Sequence, residues 1–224
     1  MSPTATKEIG IPAGAHTLAG VLELPSKPLG VVVFAHGSGS SRLSPRNRSV
    51  AEDLRGAGFA TLLLDLLTAQ EEQEDVRTGA LRFDIPLLAD RVVAAIDRVA
   101  GDERLVDLPV GCFGASTGAA AAMVAAAERP ERVGAVVSRG GRPDLAGEAL
   151  GSIQAPTLLI VGENDPEVLD LNEGALDSLE AESLLEVIPG ATHLFEEPGA
   201  LPAVADLARR WFVGHFAPHL HRAA

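Results

Sequence analysis

The chain has 224 residues, 46% hydrophobic and 22% charged, with a formal net charge of −13. This is ordinary globular composition, and the acidic balance argues against a nucleic-acid partner, which needs clustered lysine and arginine to displace counterions. A single cysteine, Cys112, excludes an internal disulfide, and no CxxC pair suggests a zinc ribbon. No stretch approaches the roughly 18 apolar residues of a membrane span. No basic region followed by an apolar stretch opens the chain, so the reading expects a cytoplasmic protein and no membrane partner. The length fits one domain over residues 1–224.

In chain order, Lys7-EIGIP and Leu18-AGVLELP read as a hairpin around Pro12 to His16. Short β-branched runs follow: Gly30-VVVFA-His36, Phe59-ATLLL-Asp65, Leu108-PVGCF-Gly114, Val133-GAVVS-Arg139, Pro156-TLLIV-Gly162 and Ser183-LLEVI-Pro189. Helical patterns separate them, at Pro45 to Gly56, Ile85 to Ala100, Thr117 to Glu128, Glu167 to Leu179 and Leu201 to Phe216. Continuous apolar strands alternating with helices predict an α/β fold: about eight strands, mostly parallel after an antiparallel start, with helices on both faces. Ligands of such a sheet bind beyond the carboxyl ends of its strands, so the residues just after each run are the ones to examine.

After the first core strand comes His36-GSGSSRLSPRNR. Gly37 and Gly39 begin a dinucleotide fingerprint, but Arg42 stands where its third glycine belongs. The other use of such a loop is to offer backbone N–H groups to a developing negative charge. His36 reads as a structural histidine rather than a base.

The segment Phe113-GASTGAAAAM places Gly114 and Gly118 one residue away from Ser116 on either side. This G-x-S-x-G pattern at a strand-to-helix junction is a nucleophile elbow, its turn too tight for bulky neighbours. The competing reading is that Ser116 only caps the helix. An elbow serine needs a base and an orienting acid, in the chain order serine, acid, histidine, each at a later strand end. Gly162-Glu-Asn-Asp165-Pro supplies Asp165, with Glu163 and Asp170 as less suitable substitutes, and Pro189-Gly-Ala-Thr-His193 supplies His193. The N–H groups of Thr117 and Ser38 are the expected oxyanion donors.

These motifs resemble a known family. HGSGSSRLSPRNR at His36, GFATLLLDLLT at Gly58, RFDIPLLADR at Arg82, FGASTGAAAAM at Phe113, SRGGRPDLA at Ser138, IVGENDPEVLDLN at Ile160 and PGATHLFEEPGAL at Pro189 together are similar to small α/β-hydrolases of the dienelactone-hydrolase-like group. The resemblance implies a nucleophile at Ser116, an acid at Asp165, a base at His193 and an oxyanion loop at Ser38. No cofactor and no metal are expected. Dienelactone hydrolases proper carry cysteine in the elbow, whereas serine stands there in this chain. That departure favours a general carboxylic ester or lactone hydrolase with a small-molecule substrate. An acyltransferase, a C–C bond hydrolase or a non-catalytic binding protein of the same fold are the alternatives.

Four further features are weaker. Arg42, Arg46 and Arg48 follow the oxyanion loop, and Arg139 and Arg142 follow another strand; Arg139 and Arg42 are candidates to grip a substrate carboxylate, against the plainer reading of acid-paired surface arginines. Glu71 to Asp75 reads as a solvated acidic loop. The segment His215-FAPHLHR has a metal-like composition only, with Pro218 breaking the helix. Cys112, four residues before Ser116, reads as a buried filler. The connections after Leu66 and after Arg139 are too short for a large helical cap, which predicts an open, shallow pocket.

Overall fold

The structure, a computed structural model, describes residues 5–220. Strands β1 (Ala5–Ala13) and β2 (His16–Leu24) form the expected antiparallel hairpin, and β2 pairs antiparallel with β4 (Ala60–Leu64). The rest of the sheet is parallel: β3 (Val31–Ala35), β5 (Val110–Ala115), β6 (Val133–Arg139), β7 (Thr157–Gly162) and β8 (Ser183–Ile188). The strand order is β1-β2-β4-β3-β5-β6-β7-β8. The chain therefore moves one way from β3 to β4 and the other way to β5. This reversal opens a crevice beyond the carboxyl ends of β3 and β5, where the two candidate loops lie.

The period-two geometry of the strands divides the core between two faces. Val31, Val33, Leu62 and Cys112 meet α3 (Ile85–Ala100) and α4 (Thr117–Glu128) on one side. Val32, Phe34, Phe113 and Val137 meet α1 (Pro45–Gly56) and α6 (Ala200–Leu220) on the other. Helix α4 buries Ala119, Ala120, Ala121 and Ala122 almost completely. Small side chains there let its axis lie close to β5, which explains the alanine run. Phe212 and Phe216 of α6 fill the opposite face against Phe59; each such burial contributes about 1.5–3 kcal/mol.

The structure corrects three expectations. Glu71 to Asp75 is not a solvated loop but part of α2 (Ala69–Thr78), started by a reciprocal capping box between Thr68 and Glu71. Asp75 is 1% exposed and accepts from the backbone N–H groups of Leu81 (2.7 Å) and Arg82 (3.0 Å) and from Arg82 Nε (2.6 Å). The expected helix to Leu179 is α5 (Pro166–Leu176), a turn shorter. Helix α6 runs through Pro218 to Leu220, because a proline near the last turn forfeits a single i→i−4 bond. His221, part of the histidine-rich tail, lies outside the described residues.

Neither connection holds a large cap. The first carries α2 and a short 3-10 turn, Leu81–Phe83. The second carries a kinked 3-10 stretch, Pro143–Ser152, that packs on α4 and α5. Among the described residues, no helix is long and apolar enough to cross a membrane, and no group of three or more metal-ligating side chains gathers.

Candidate active site

Ser116 occupies the turn between β5 and α4 with φ 51° and ψ −123°, and its side chain makes no capping bond to the helix. A left-handed conformation costs a residue with a Cβ about 1–3 kcal/mol and persists only where the surroundings impose it. Here the imposition is visible. A Cβ on Gly114 would stand 2.3 Å from Ala119 Cα, and one on Gly118 would stand 2.3 Å from the His36 carbonyl oxygen. The glycines of the motif are thus demanded by contact, and the simple helix-cap reading of Ser116 fails.

The loop after β3 closes on this turn. A Cβ on Gly37 would lie 3.0 Å from Ser116 Cβ, and Ser38 Oγ lies 3.0 Å from Thr117 Oγ1. The backbone N–H of Ser38 has no protein acceptor among the described residues. Thr117 is the first residue of α4, where the helix leaves an N–H without an intrahelical partner. Both donors therefore sit beside Ser116, at the positive end of the helix dipole.

His36 anchors the loop. Its Nε2 accepts from the Leu66 N–H at 3.0 Å and its Nδ1–H donates to the Gly37 carbonyl at 2.9 Å. Both ring nitrogens are spent, so His36 cannot serve as a base. Burial pulls its pKa below the ordinary value, which keeps it neutral and preserves the acceptor that Leu66 needs.

Asp165 and His193 meet at the far side. Asp165 Oδ2 accepts from His193 Nδ1 at 2.7 Å, which leaves Nε2 free to face the pocket. The two loops are laced together by their backbones. Glu163 N–H donates to Ile188 O at 3.0 Å and Asn164 N–H to Ala191 O at 2.8 Å. The side chain of Glu163 accepts from the Gly190 N–H at 2.7 Å, so this alternative acid is already committed to holding the loop. Asp170 lies exposed on α5.

Ser116, His193, Ser38 and Arg139 line one pocket of about 200 Å³. Among the described residues no direct Ser116–His193 hydrogen bond forms; such contacts commonly tighten only when substrate arrives. His193 is 39% exposed at the pocket rim. Arg42 does not join this pocket. Its guanidinium pairs with Asp65, and its backbone N–H donates to the same carboxylate at 2.7 Å. This removes Arg42 from the expected substrate contacts. Arg142 pairs with Asp144 at 2.7 Å and Arg48 is exposed. Arg139, by contrast, is 8% exposed, and burial, then repulsion from Arg46, draws its pKa down to about 10. Sequence reasoning overlooked Asn47, which also lines the pocket; its place on α1, two residues inside the helix start, carried no motif.

A mostly parallel eight-stranded sheet with helices on both faces and a strained serine on the turn after β5 defines an α/β-hydrolase fold. The chain belongs to the dienelactone hydrolase family, whose family model matches residues 18–212. It is 57% identical to a dienelactone hydrolase from Anabaena variabilis of known crystal structure, with a TM-score of 0.93, covering 95% of this chain and 98% of that one. It is also similar in fold to Est1E from Butyrivibrio proteoclasticus, at 16% identity and a TM-score of 0.78 over 94% of this chain and 99% of that one. Two Mycobacterium tuberculosis proteins, from strains CDC 1551 / Oshkosh and H37Rv, bear the name "Putative phosphoribosyl transferase" and are 58% identical over 213 residues. The match covers 95% of this chain but 47% of theirs, so the chain spans about half the length of those relatives.

Proposed function

We propose that the protein is a serine hydrolase acting on carboxylic esters or lactones through Ser116, His193 and Asp165. The observation that carries this reading is the strained Ser116 turn opening onto the same pocket as the paired His193–Asp165 side chains. Membership in the dienelactone hydrolase family supports it.

In this mechanism Ser116 Oγ attacks the acyl carbon while His193 Nε2 takes its proton. Asp165 holds the Nδ1–H tautomer and stabilises the imidazolium that forms. The N–H groups of Ser38 and Thr117 receive the oxyanion, each donor lowering the barrier by about 3 kcal/mol. His193 then gives its proton to the departing alcohol, and a water deprotonated by the same ring releases the acyl group from Ser116. The small pocket suits short acyl chains, since sites for larger ligands run from about 300 Å³ upward.

Phosphoribosyl transfer, in the name of the Mycobacterium relatives, is a property named for proteins about twice the matched length. The strained serine, the His193–Asp165 pair and the free loop N–H favour acyl chemistry for this chain. The test is turnover of a short-chain p-nitrophenyl ester panel by the wild type and Ser116→Ala. Hydrolysis that Ser116→Ala abolishes supports the reading; no hydrolysis by the wild type, or equal hydrolysis by both, overturns it.

A further inference from the structure

Asn172 is wholly buried in α5, a helix none of whose residues lines the Ser116 pocket. Its Nδ2 donates to two carbonyl oxygens, that of Val168 one turn back at 2.7 Å and that of Gly141 at 3.0 Å. Its Oδ1 is enclosed and has no hydrogen-bond partner among the described residues. A buried amide left half-paired is destabilising, and an apolar side chain of similar shape would avoid that cost. The Val168 carbonyl lies within α5, where the helix ladder already gives it a donor. No other donor reaches the Gly141 carbonyl among the described residues. The bond to Gly141 is therefore what this asparagine supplies.

Gly141 belongs to a segment, Arg139 to Arg142, that leaves the end of β6 and clasps the Ser116 peptide from both sides. The Ser116 N–H donates to the Arg139 carbonyl at 3.3 Å, and the Arg142 N–H donates to the Ser116 carbonyl at 3.2 Å. Between them, Gly140 has φ 50° and donates its N–H to the Ile160 carbonyl at 2.7 Å. A Cβ on Gly140 would stand 3.3 Å from the His193 carbonyl oxygen and 3.5 Å from His193 Nδ1. One on Gly141 would collide with Ser138 Oγ and with Ala119 of α4, so the segment lies flush on the nucleophile's helix. The same four residues thus touch both reacting partners. The positive φ of Ser116 persists only because its surroundings impose it, and this segment is part of that imposition.

We propose that Asn172 is a positioning residue: by fastening the Gly141 carbonyl it holds the Arg139–Arg142 segment across the Ser116 peptide and against His193, and so sets the distance over which the proton passes from Ser116 Oγ to His193 Nε2. The effect on turnover rests on the hydrolase reading above; the fastening does not. A displacement of about 1 Å caused from outside the site can cost on the order of a hundredfold in rate, which is why one remote hydrogen bond matters here.

Asn172→Leu separates positioning from packing. It removes both the donor and the orphaned oxygen, so melting temperature should hold or rise while kcat on p-nitrophenyl butyrate falls by on the order of ten- to a hundredfold, with KM little changed. Asn172→Ala adds no bulk and should show the same kinetic loss; it stands in for leucine should that variant not fold. Ala175→Gly loosens the same helix without touching Gly141, and should lower the melting temperature and leave kcat unchanged. Amide exchange followed by NMR without substrate reads the fastening itself. The Arg142 N–H should exchange at least about tenfold faster in the Asn172 variant, with Val33 N–H in β3 as the reference for global opening. A wild-type kcat in both Asn172 variants, a kcat loss matched by Ala175→Gly, or unchanged exchange at Arg142 overturns the proposal. Should the wild type turn over no ester, the hydrolase reading fails, and exchange at Arg142 alone decides whether Asn172 fastens the segment.

Discussion

The hydroxyls of Ser38 and Thr117 lie 3.0 Å apart although 79 positions separate them in the chain. This contact clasps the loop after β3 to the first turn of α4, and so sets the spacing of the two backbone N–H groups assigned to the oxyanion. Thr117→Val breaks the clasp without removing either N–H. A hydrogen bond of this kind contributes about 1 kcal/mol, so kcat should fall by about three- to tenfold with KM little changed. Steady-state kinetics on a p-nitrophenyl ester provide the check.

Asp165 accepts from His193 Nδ1 at 2.7 Å. Asp165→Asn keeps the shape but offers an amide that favours the wrong imidazole tautomer. The expected loss in kcat is on the order of 10⁴, with melting temperature nearly preserved. Glu163→Gln should cost far less, because Glu163 acts on the loop through the Gly190 N–H rather than on the imidazole. The ratio of the two losses separates an orienting acid from a loop fastener.

His36 links the protein's stability to pH. Burial lowers its pKa in the folded state below the ordinary 6.5. The folded chain then resists a proton that the unfolded chain accepts, so this contribution is complete above the unfolded value and is lost progressively as pH falls from there through the lowered folded value. Urea melts between about pH 7 and about pH 5 should show the wild type losing stability towards acid. The stability difference between wild type and His36→Gln should shrink across the same window.

Cys112 lies fully buried in β5, and desolvation pushes its thiol up to about 12. It should stay unmodified by iodoacetamide or a disulfide reagent in the native protein at neutral pH and react once the chain is unfolded. Mass spectrometry before and after denaturation reads this directly. Native labelling at Cys112 would mean that the strand opens far more readily than its packing allows.

The features legible beforehand were those written in local sequence. Gly114 and Gly118 around Ser116 specify a turn by contact, and His193 and Asp165 follow strand ends marked by apolar runs. The strand order was not legible, because pairing of β3 with both β4 and β5 depends on long-range register. Helix α2 was missed although Thr68 and Glu71 spell a capping box; the acidic density hid it, and the Arg82 partner that accommodates buried Asp75 lies seven residues on. Arg42 and Arg139 look alike in sequence, each an arginine near the carboxyl end of a strand. Only folding brings Asp65 to Arg42 and, among the described residues, no carboxylate to Arg139.

The central claim is that Ser116 Oγ is a nucleophile activated in this pocket, and the most direct measurement is covalent capture. The protein is treated with a fluorophosphonate, then analysed by intact mass and peptide mapping. One adduct should form, on Ser116, absent from Ser116→Ala and formed much more slowly in His193→Gln. No adduct, an adduct on another residue, or unchanged labelling in His193→Gln would contradict it.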